Sequence, residues 1–371
     1  MADRPEATGG KPATRRRGLL RLERASGFGG VRKVLSGLLG LFLFILALQL
    51  LKAGAKGLGP FVVDRLGVDS VASALGFGWI FAYVVMSGSP VAAIALSFFA
   101  SDVIDKLQTF CMIAGSRFGA SFVVLLLGFI YTLRGKARGR SLEMGVLSLL
   151  TTYVVYGVAI PIGAFILLSG AFDGFRPALP TRLFDFIEVV FDPIVAFAAG
   201  YLNAFLLFVL GVAVIMLAFT LFDKALPDLS KDAPVRGLEE HIYRPVVMFG
   251  LGCVITLFTL SVSVSLGLLV PLSAKGIARR ENVIPYIMGA NITTFVDTLL
   301  ATLLLDKPEA FTVVLVEMLS VAVVSLIILF AFYSRFERLL LAASRRILRT
   351  RGTLTVFVVA ILLAPLLLML V

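Results

Sequence analysis

The sequence predicts an all-α polytopic membrane protein of two inverted-topology repeats, each with a re-entrant helical hairpin and a broken helix, plus one extra C-terminal span. Three observations carry this. The 371 residues are 59% hydrophobic and only 15% charged, with mean hydropathy +1.00, whereas a soluble protein is near a quarter charged. Several apolar runs approach or exceed the roughly 20 residues that a helix needs to cross a bilayer, and the alternation of a membrane β-barrel is absent. Finally, one arrangement of small polar residues occurs twice. Ser87-Gly88-Ser89-Pro90 precedes Gly115-Ser116-Arg117-Phe118-Gly119, and Ser261-Val262-Ser263-Val264 precedes Gly289-Ala290-Asn291-Ile292-Thr293-Thr294 by the same interval. Ser87 thus matches Ser261, and Gly115 matches Gly289, with no gap between the copies. In lipid every freed backbone group needs a partner, so paired interruptions of membrane helices point to a transporter's binding site.

Residues 1–33 are basic and rich in small residues, which predicts a disordered cytoplasmic tail. No small-residue cleavage site follows the first apolar run, which reads as a retained signal anchor. The apolar segments are 34–56, 71–101, 106–133, 141–169, 197–222, 245–275, 281–304, 309–333 and 353–371. Between them, residues 170–196 mix charges with Phe184, Phe186, Ile187 and Val190 and carry Pro177, Pro180 and Pro193, as an interfacial amphipathic helix in an extracytoplasmic loop does.

If 71–101 and 245–275 are hairpins that enter and leave on one side, the other seven segments are full spans. With the N-terminus inside, the stretches 1–33, 134–140, 223–244, 275–280 and 335–351 then fall in the cytoplasm and hold 26 of the 34 Lys plus Arg. Full crossings would put Arg134, Lys136, Arg138 and Arg140 outside, so the positive-inside bias favours hairpins. Three crossings per unit make repeat 2 (197–333) inverted relative to repeat 1 (34–169), and 334–371 becomes a basic linker and final transmembrane helix. The expected location is the cell membrane, multi-pass, with a cytoplasmic N-terminus. Identity between the copies is slight: Ser87/Ser261, Ser89/Ser263, Ala100/Ala274, Ile113/Ile287 and Gly115/Gly289.

Other classes are disfavoured. Cys111 and Cys253 sit in apolar runs and read as small buried thiols. The single histidine, His241, lies in a charged loop, which excludes a three-histidine zinc site and a Ser/His hydrolase at membrane depth. No nucleophile–base pair and no phosphate loop is visible, so no enzyme is expected. The net charge of +11 flanks the spans, which reads as orientation and not as nucleic-acid binding.

A helix broken at mid-membrane exposes unpaired backbone groups, and its new N-terminus attracts anions. Ser89-Pro90 suits such a start, with serine as N-cap and proline at the first helical position. Ser87, Ser261, Ser263 and Ser265 offer hydroxyls to an oxyanion or to sodium; Gly289 permits a bend, and Asn291, Thr293 or Thr294 can cap the helix beyond it. The plainer alternative is helix packing by small residues. Arg117, inside the Gly115–Gly119 interruption, reads as an anion ligand or as half of a structural ion pair with Asp297. Asp297 is equally a cation or proton ligand. Glu317 lies well inside its span, where a vestibule would hydrate it, and Asp102, Asp105 and Glu281 lie at segment ends, at the membrane surface.

The second copy resembles the type II sodium/phosphate cotransporters and their bacterial relatives. That family carries Gln-Ser-Ser-Ser, an apolar run and Gly-Ala-Asn-Ile-Gly-Thr-Thr in each inverted half. Here Ser261 to Ser263, Gly267 to Pro271 and Gly289 to Thr294 are similar, and Leu217 to Leu229 resembles the helix that opens the family's second half. Residues 34–333 can be laid on the pattern. The departures are Met86 and Leu260 for the glutamines, Gly88 and Val262 for the middle serines, Arg117 within the first Gly-Ala-Asn-Ile, Thr293 for glycine and Phe295 for threonine. The resemblance implies sodium-coupled symport of inorganic phosphate with no cofactor, Na+ serving as coupling ion. The expected substrate ligands are Ser87, Ser89, Arg117, Ser261, Ser263, Asn291, Thr293 and Thr294, and the ion-coupling candidates are Ser265, Gly289 and Asp297. The expected partners are a small inorganic anion, a coupling cation and the lipid bilayer. The missing glutamines leave open another oxyanion or an organic anion, driven by protons or sodium. A scaffold that keeps the fold without transporting is a further alternative.

Overall fold

The computed structural model describes residues 13–133, 140–175, 177, 181–225, 244–260, 262–267, 269 and 280–371. Every regular element among them is helical. In chain order they are α1 (Ala13–Pro60), continued by a π-helical turn (Phe61–Arg65), α2 (Val71–Val85), α3 (Ser89–Ala100), α4 (Lys106–Leu133), α5 (Arg140–Leu168), α6 (Thr181–Tyr201) and α7 (Ala204–Ala225). Then come α8 (Pro245–Thr259), α9 (Val262–Gly267), α10 (Arg280–Thr293), α11 (Phe295–Leu303), α12 (Glu309–Ile327), a second π-helical turn (Ile328–Phe332), α13 (Tyr333–Leu348) and α14 (Arg351–Leu368).

Seven helices among the described residues are long and apolar enough to cross a membrane: 30–65, 106–133, 141–168, 204–225, 282–303, 309–348 and 351–368. The chain is an all-α, multi-pass membrane protein, and each expected full span falls on one of these seven. The two segments expected as hairpins hold shorter pieces. In 71–101 a helix of 15 residues meets one of 12, and 245–259 forms one of 15. At 1.5 Å per residue none reaches across a roughly 30 Å hydrocarbon layer alone. Residues 270–279, the end of the second such segment, lie outside the described residues.

Helix starts follow side-chain chemistry. Ser70 and Ser73 close a capping box over α2, and Thr350 and Thr353 do the same for α14. Asp105 accepts from the Gln108 amide N–H (2.7 Å) while the Gln108 side chain accepts from the Asp105 N–H (2.8 Å), which fixes the entry to α4. Ser70→Ala removes a cap and is expected to cost about 1 kcal/mol, read as a lowered melting temperature in detergent.

Some boundaries differ from expectation. α1 begins at Ala13, inside the stretch predicted to be a disordered tail, because Pro12 is the last helix breaker before a run of Arg, Leu, Glu and Ala. The linker predicted after residue 333 is α13, continuous with α12 through the π-helical turn. The interruption expected at Gly115–Gly119 is absent, since α4 runs unbroken from Lys106 to Leu133. Those glycines serve packing instead. A Cβ on Gly115 would lie 2.1 Å from the Leu75 carbonyl oxygen of α2, and one on Gly78 would lie 2.1 Å from that of Met112. The same reciprocal contact recurs at the matching positions of the second copy, where Gly289 meets the Phe249 carbonyl and Gly252 meets that of Tyr286, both at 2.1 Å. Gly289 therefore lies within α10 and not at a bend.

The correspondence extends to the interruptions. Met86 ends α2 at φ +58°, and its counterpart Leu260 ends α8 at φ +47°. α2 packs on α4 as α8 packs on α10, and α1 packs along α7. α4 and α10–α11 lie at the centre, 83% and 78% buried in their apolar windows, whereas α14 is 11% buried and peripheral. In α3 every residue from Ser89 to Phe99 is buried, so the start of this short helix sits deep in the protein.

Candidate functional site

Both interruptions open onto one small cavity, lined by Ser87, Gly88 and Ser89 at the head of α3, Arg117 and Ala120 of α4, Val262 of α9, and Asn291 and Thr294 around the α10–α11 junction. It has room for about one water molecule. α3 begins at this cavity, and the first N–H groups of a helix have no intrahelical partner; α11 follows α10 there through one αR residue, Thr294, whose N–H still bonds the Ala290 carbonyl (3.1 Å).

Arg117 is the central charge and is 4% exposed. Its Nη2 donates to Thr298 Oγ1 (2.7 Å), its Nη1 donates to Thr294 Oγ1 (3.4 Å), and the guanidinium lies 4.8 Å from the Phe295 ring centroid. Its Nε has no partner among the described residues. The glycine at position 88 lets the chain approach, because a Cβ there would lie 3.3 Å from Arg117 Nη1 and 3.1 Å from the Ser116 carbonyl oxygen.

Asp297 is 5% exposed, one turn into α11. The anticipated direct ion pair with Arg117 does not form. Thr298 stands between them, accepting from Arg117 and donating to Asp297 Oδ1 (2.9 Å). The Ser89 hydroxyl approaches the same carboxyl, and Oδ2 makes no hydrogen bond. Two threonines one helical turn apart thus hold the arginine, and one of them passes its pull on to the carboxylate.

The other expected site residues divide. Asn291 reaches α5, with Nδ2 donating to Thr152 Oγ1 (3.1 Å) and its carbonyl accepting from the Tyr156 hydroxyl (3.3 Å). Thr293 turns back on its own helix, donating to the Gly289 carbonyl (3.4 Å), and does not line the cavity. Ser265 is absorbed in packing, accepting from Thr256 Oγ1 (2.7 Å) and sharing a 2.8 Å hydrogen bond with the Tyr286 hydroxyl. Ser261 lies outside the described residues, as does His241, and of Ser263 only the helical backbone is described. The N-cap of α3 is Gly88, one residue before the serine expected there, and Thr294 precedes α11 without a side-chain cap bond. Sequence reasoning missed Thr298 and Phe295. A signal for Thr298 was at hand, since Thr294 and Thr298 stand four apart beside Asp297 on one helix face; none marked Phe295.

Charges at the segment ends behave as surface groups. Lys106 pairs with Asp173 at 3.1 Å, and Lys307 bonds Asp102 and holds its carboxyl below the usual carboxylate range. Cys111 and Cys253 are free thiols, and no group of three metal-ligating side chains occurs among the described residues. Neither a family model, nor a curated protein, nor a solved structure matches the chain.

Proposed function

We propose that this protein is a secondary active transporter that carries a small oxyanion, with inorganic phosphate the leading candidate, into the cell together with sodium. In this reading 71–101 and 245–275 are re-entrant hairpins, and the halves 34–169 and 197–333 are inverted repeats. The N-terminus lies in the cytoplasm, as the distribution of basic residues favours. The observation that carries the proposal is the convergence of a buried arginine, the N-terminus of α3 and both chain interruptions on one cavity. Such an N-terminus favours an anion, and Arg117 adds a full positive charge and an Nε–H without a partner among the described residues.

A neighbouring acid explains why a cation would travel too. Asp297, joined to Arg117 through Thr298, repels an anion whenever it is ionised, unless positive charge arrives with that anion. Importing a divalent anion against an inside-negative potential of about 100 mV also costs about 4.6 kcal/mol before any concentration gradient. Two or more co-transported cations offset both. The cavity must widen to take phosphate, by movement of one half against the other.

The test is phosphate uptake by the purified protein in proteoliposomes. Uptake that rises with an inward sodium gradient is the expected result, and uptake indifferent to sodium removes that coupling. A second reading, a non-transporting scaffold, is favoured by the tight closure of the cavity; absence of uptake for phosphate, sulfate, arsenate and organic anions alike would establish it.

A further inference from the structure

Glu317 lies on α12 and is 1% exposed, yet neither of its carboxyl oxygens has a hydrogen-bond partner among the described residues. Its neighbours on the helix, Val313 and Val316, pack into an apolar cluster with Phe110 and Cys111. The groups that act on it come from every helix packed on α12. Arg117 and Cys111 of α4 and Tyr156 of α5 interact with it electrostatically. α11 carries Asp297, and the Tyr286 hydroxyl of α10 is engaged with Ser265. Neither α3 nor the π-helical turn after α12 carries a titratable group.

One cation thus stands among two buried carboxyls. Asp297 is served, with one oxygen bonded by Thr298 and linked through it to Arg117. Glu317 receives no donor, so it is the place where negative charge is least supported. A metal cation needs several oxygen ligands, which this apolar flank does not offer; a proton needs one oxygen.

We propose that Glu317 is a proton-carrying site linked to occupancy of the Arg117 cavity. An anion arriving beside Arg117 adds negative charge to a cluster that holds one positive group. At pH values where the anion-free protein holds Glu317 as a carboxylate, a proton from water then forms an O–H bond on one of its oxygens, and the group becomes a neutral carboxylic acid. Release of the anion breaks that bond and returns the proton to water, on whichever side the cavity then faces. The coupling is reciprocal, so acid tightens anion binding as the anion tightens proton binding. This inference rests on the anion reading of the cavity and is independent of sodium.

The experiment uses the purified full-length chain in detergent with inorganic phosphate as probe. Phosphate affinity and proton uptake on binding are measured across pH for wild type and Glu317→Gln, and the protons of phosphate itself cancel in the difference. At pH values where Glu317 is ionised in the anion-free protein, the wild type is expected to take up about one proton more than the variant, and its affinity to rise about tenfold more per unit of acidification; at lower pH both differences are expected to vanish. In the wild type alone, a phosphate-induced infrared difference spectrum is expected to gain the C=O stretch of a protonated carboxyl. Phosphate binding by wild type without that gain overturns the proton site, even where Glu317→Gln does not fold. Binding by both proteins with equal proton uptake overturns it as well and leaves the anion reading standing. A wild type that binds no phosphate removes the anion reading, and the proton linkage falls with it.

Discussion

Arg117→Ala is expected to abolish most phosphate uptake and to lower stability, by separable amounts. Losing a charged donor to the anion costs about 1.5–3 kcal/mol, or about 10- to 150-fold in affinity. The same change strips two buried carboxyls of the one positive group near them. Removing one partner of a buried charge pair typically costs about 3–5 kcal/mol, which here is tempered because Thr298, and not a direct contact, links Arg117 to Asp297. The double variant Arg117→Ala/Asp297→Asn separates the two roles through a double-mutant cycle. Melting temperature in detergent and uptake in proteoliposomes are the readouts. If Arg117 is an anion ligand, the double variant regains stability while uptake stays lost. Recovery of uptake together with stability would reduce Arg117 to a structural charge.

Gly115→Ala and Gly289→Ala form the second large effect. In each, the new methyl would lie 2.1 Å from a backbone carbonyl oxygen of the neighbouring helix, far inside contact distance. A backbone oxygen cannot swing aside as a side chain does, so α2 must move off α4, and α8 off α10. The expected cost is at least about 3 kcal/mol in each variant, at the upper end of overpacking penalties. Gly157→Ala provides the control, because nothing lies within 4 Å of its added carbon, and helix propensity alone favours alanine by about 0.5–1 kcal/mol. Thermal unfolding that left all three proteins alike would contradict the close approach of these helices.

The spans were legible because crossing a bilayer is a constraint on composition over some twenty residues, which single positions do not blur. The interruption at Ser87–Ser89 was legible for a local reason, since Ser-Gly-Ser-Pro offers caps and a helix-starting proline in four positions. Gly115 and Gly119 were misread as a break. A glycine in an apolar run serves equally as a bend or as a place for another backbone to approach, and only the partner helix decides. Of the small polar residues, Ser87, Ser89, Asn291 and Thr294 reach the cavity with Arg117, whereas Ser265 and Thr293 turn into packing or onto their own helix. That division depends on helical phase against neighbours far away in sequence. The place of Thr298 on the Thr294 face was legible, but its pairing with Arg117 was not, as that partner stands 181 residues away.

The left-handed residues Met86 and Leu260 are held in a conformation that costs about 1–2 kcal/mol for a side chain with a Cβ. At each elbow that energy is recovered when the backbone straightens into continuous helix. At the first elbow Pro90, four residues on, forbids it, since its ring collides with the Met86 carbonyl and supplies no N–H. The corresponding position of the second elbow is Val264, which imposes no such bar. The two elbows are therefore unequal: proline bars the first from closing into continuous helix, and no proline bars the second.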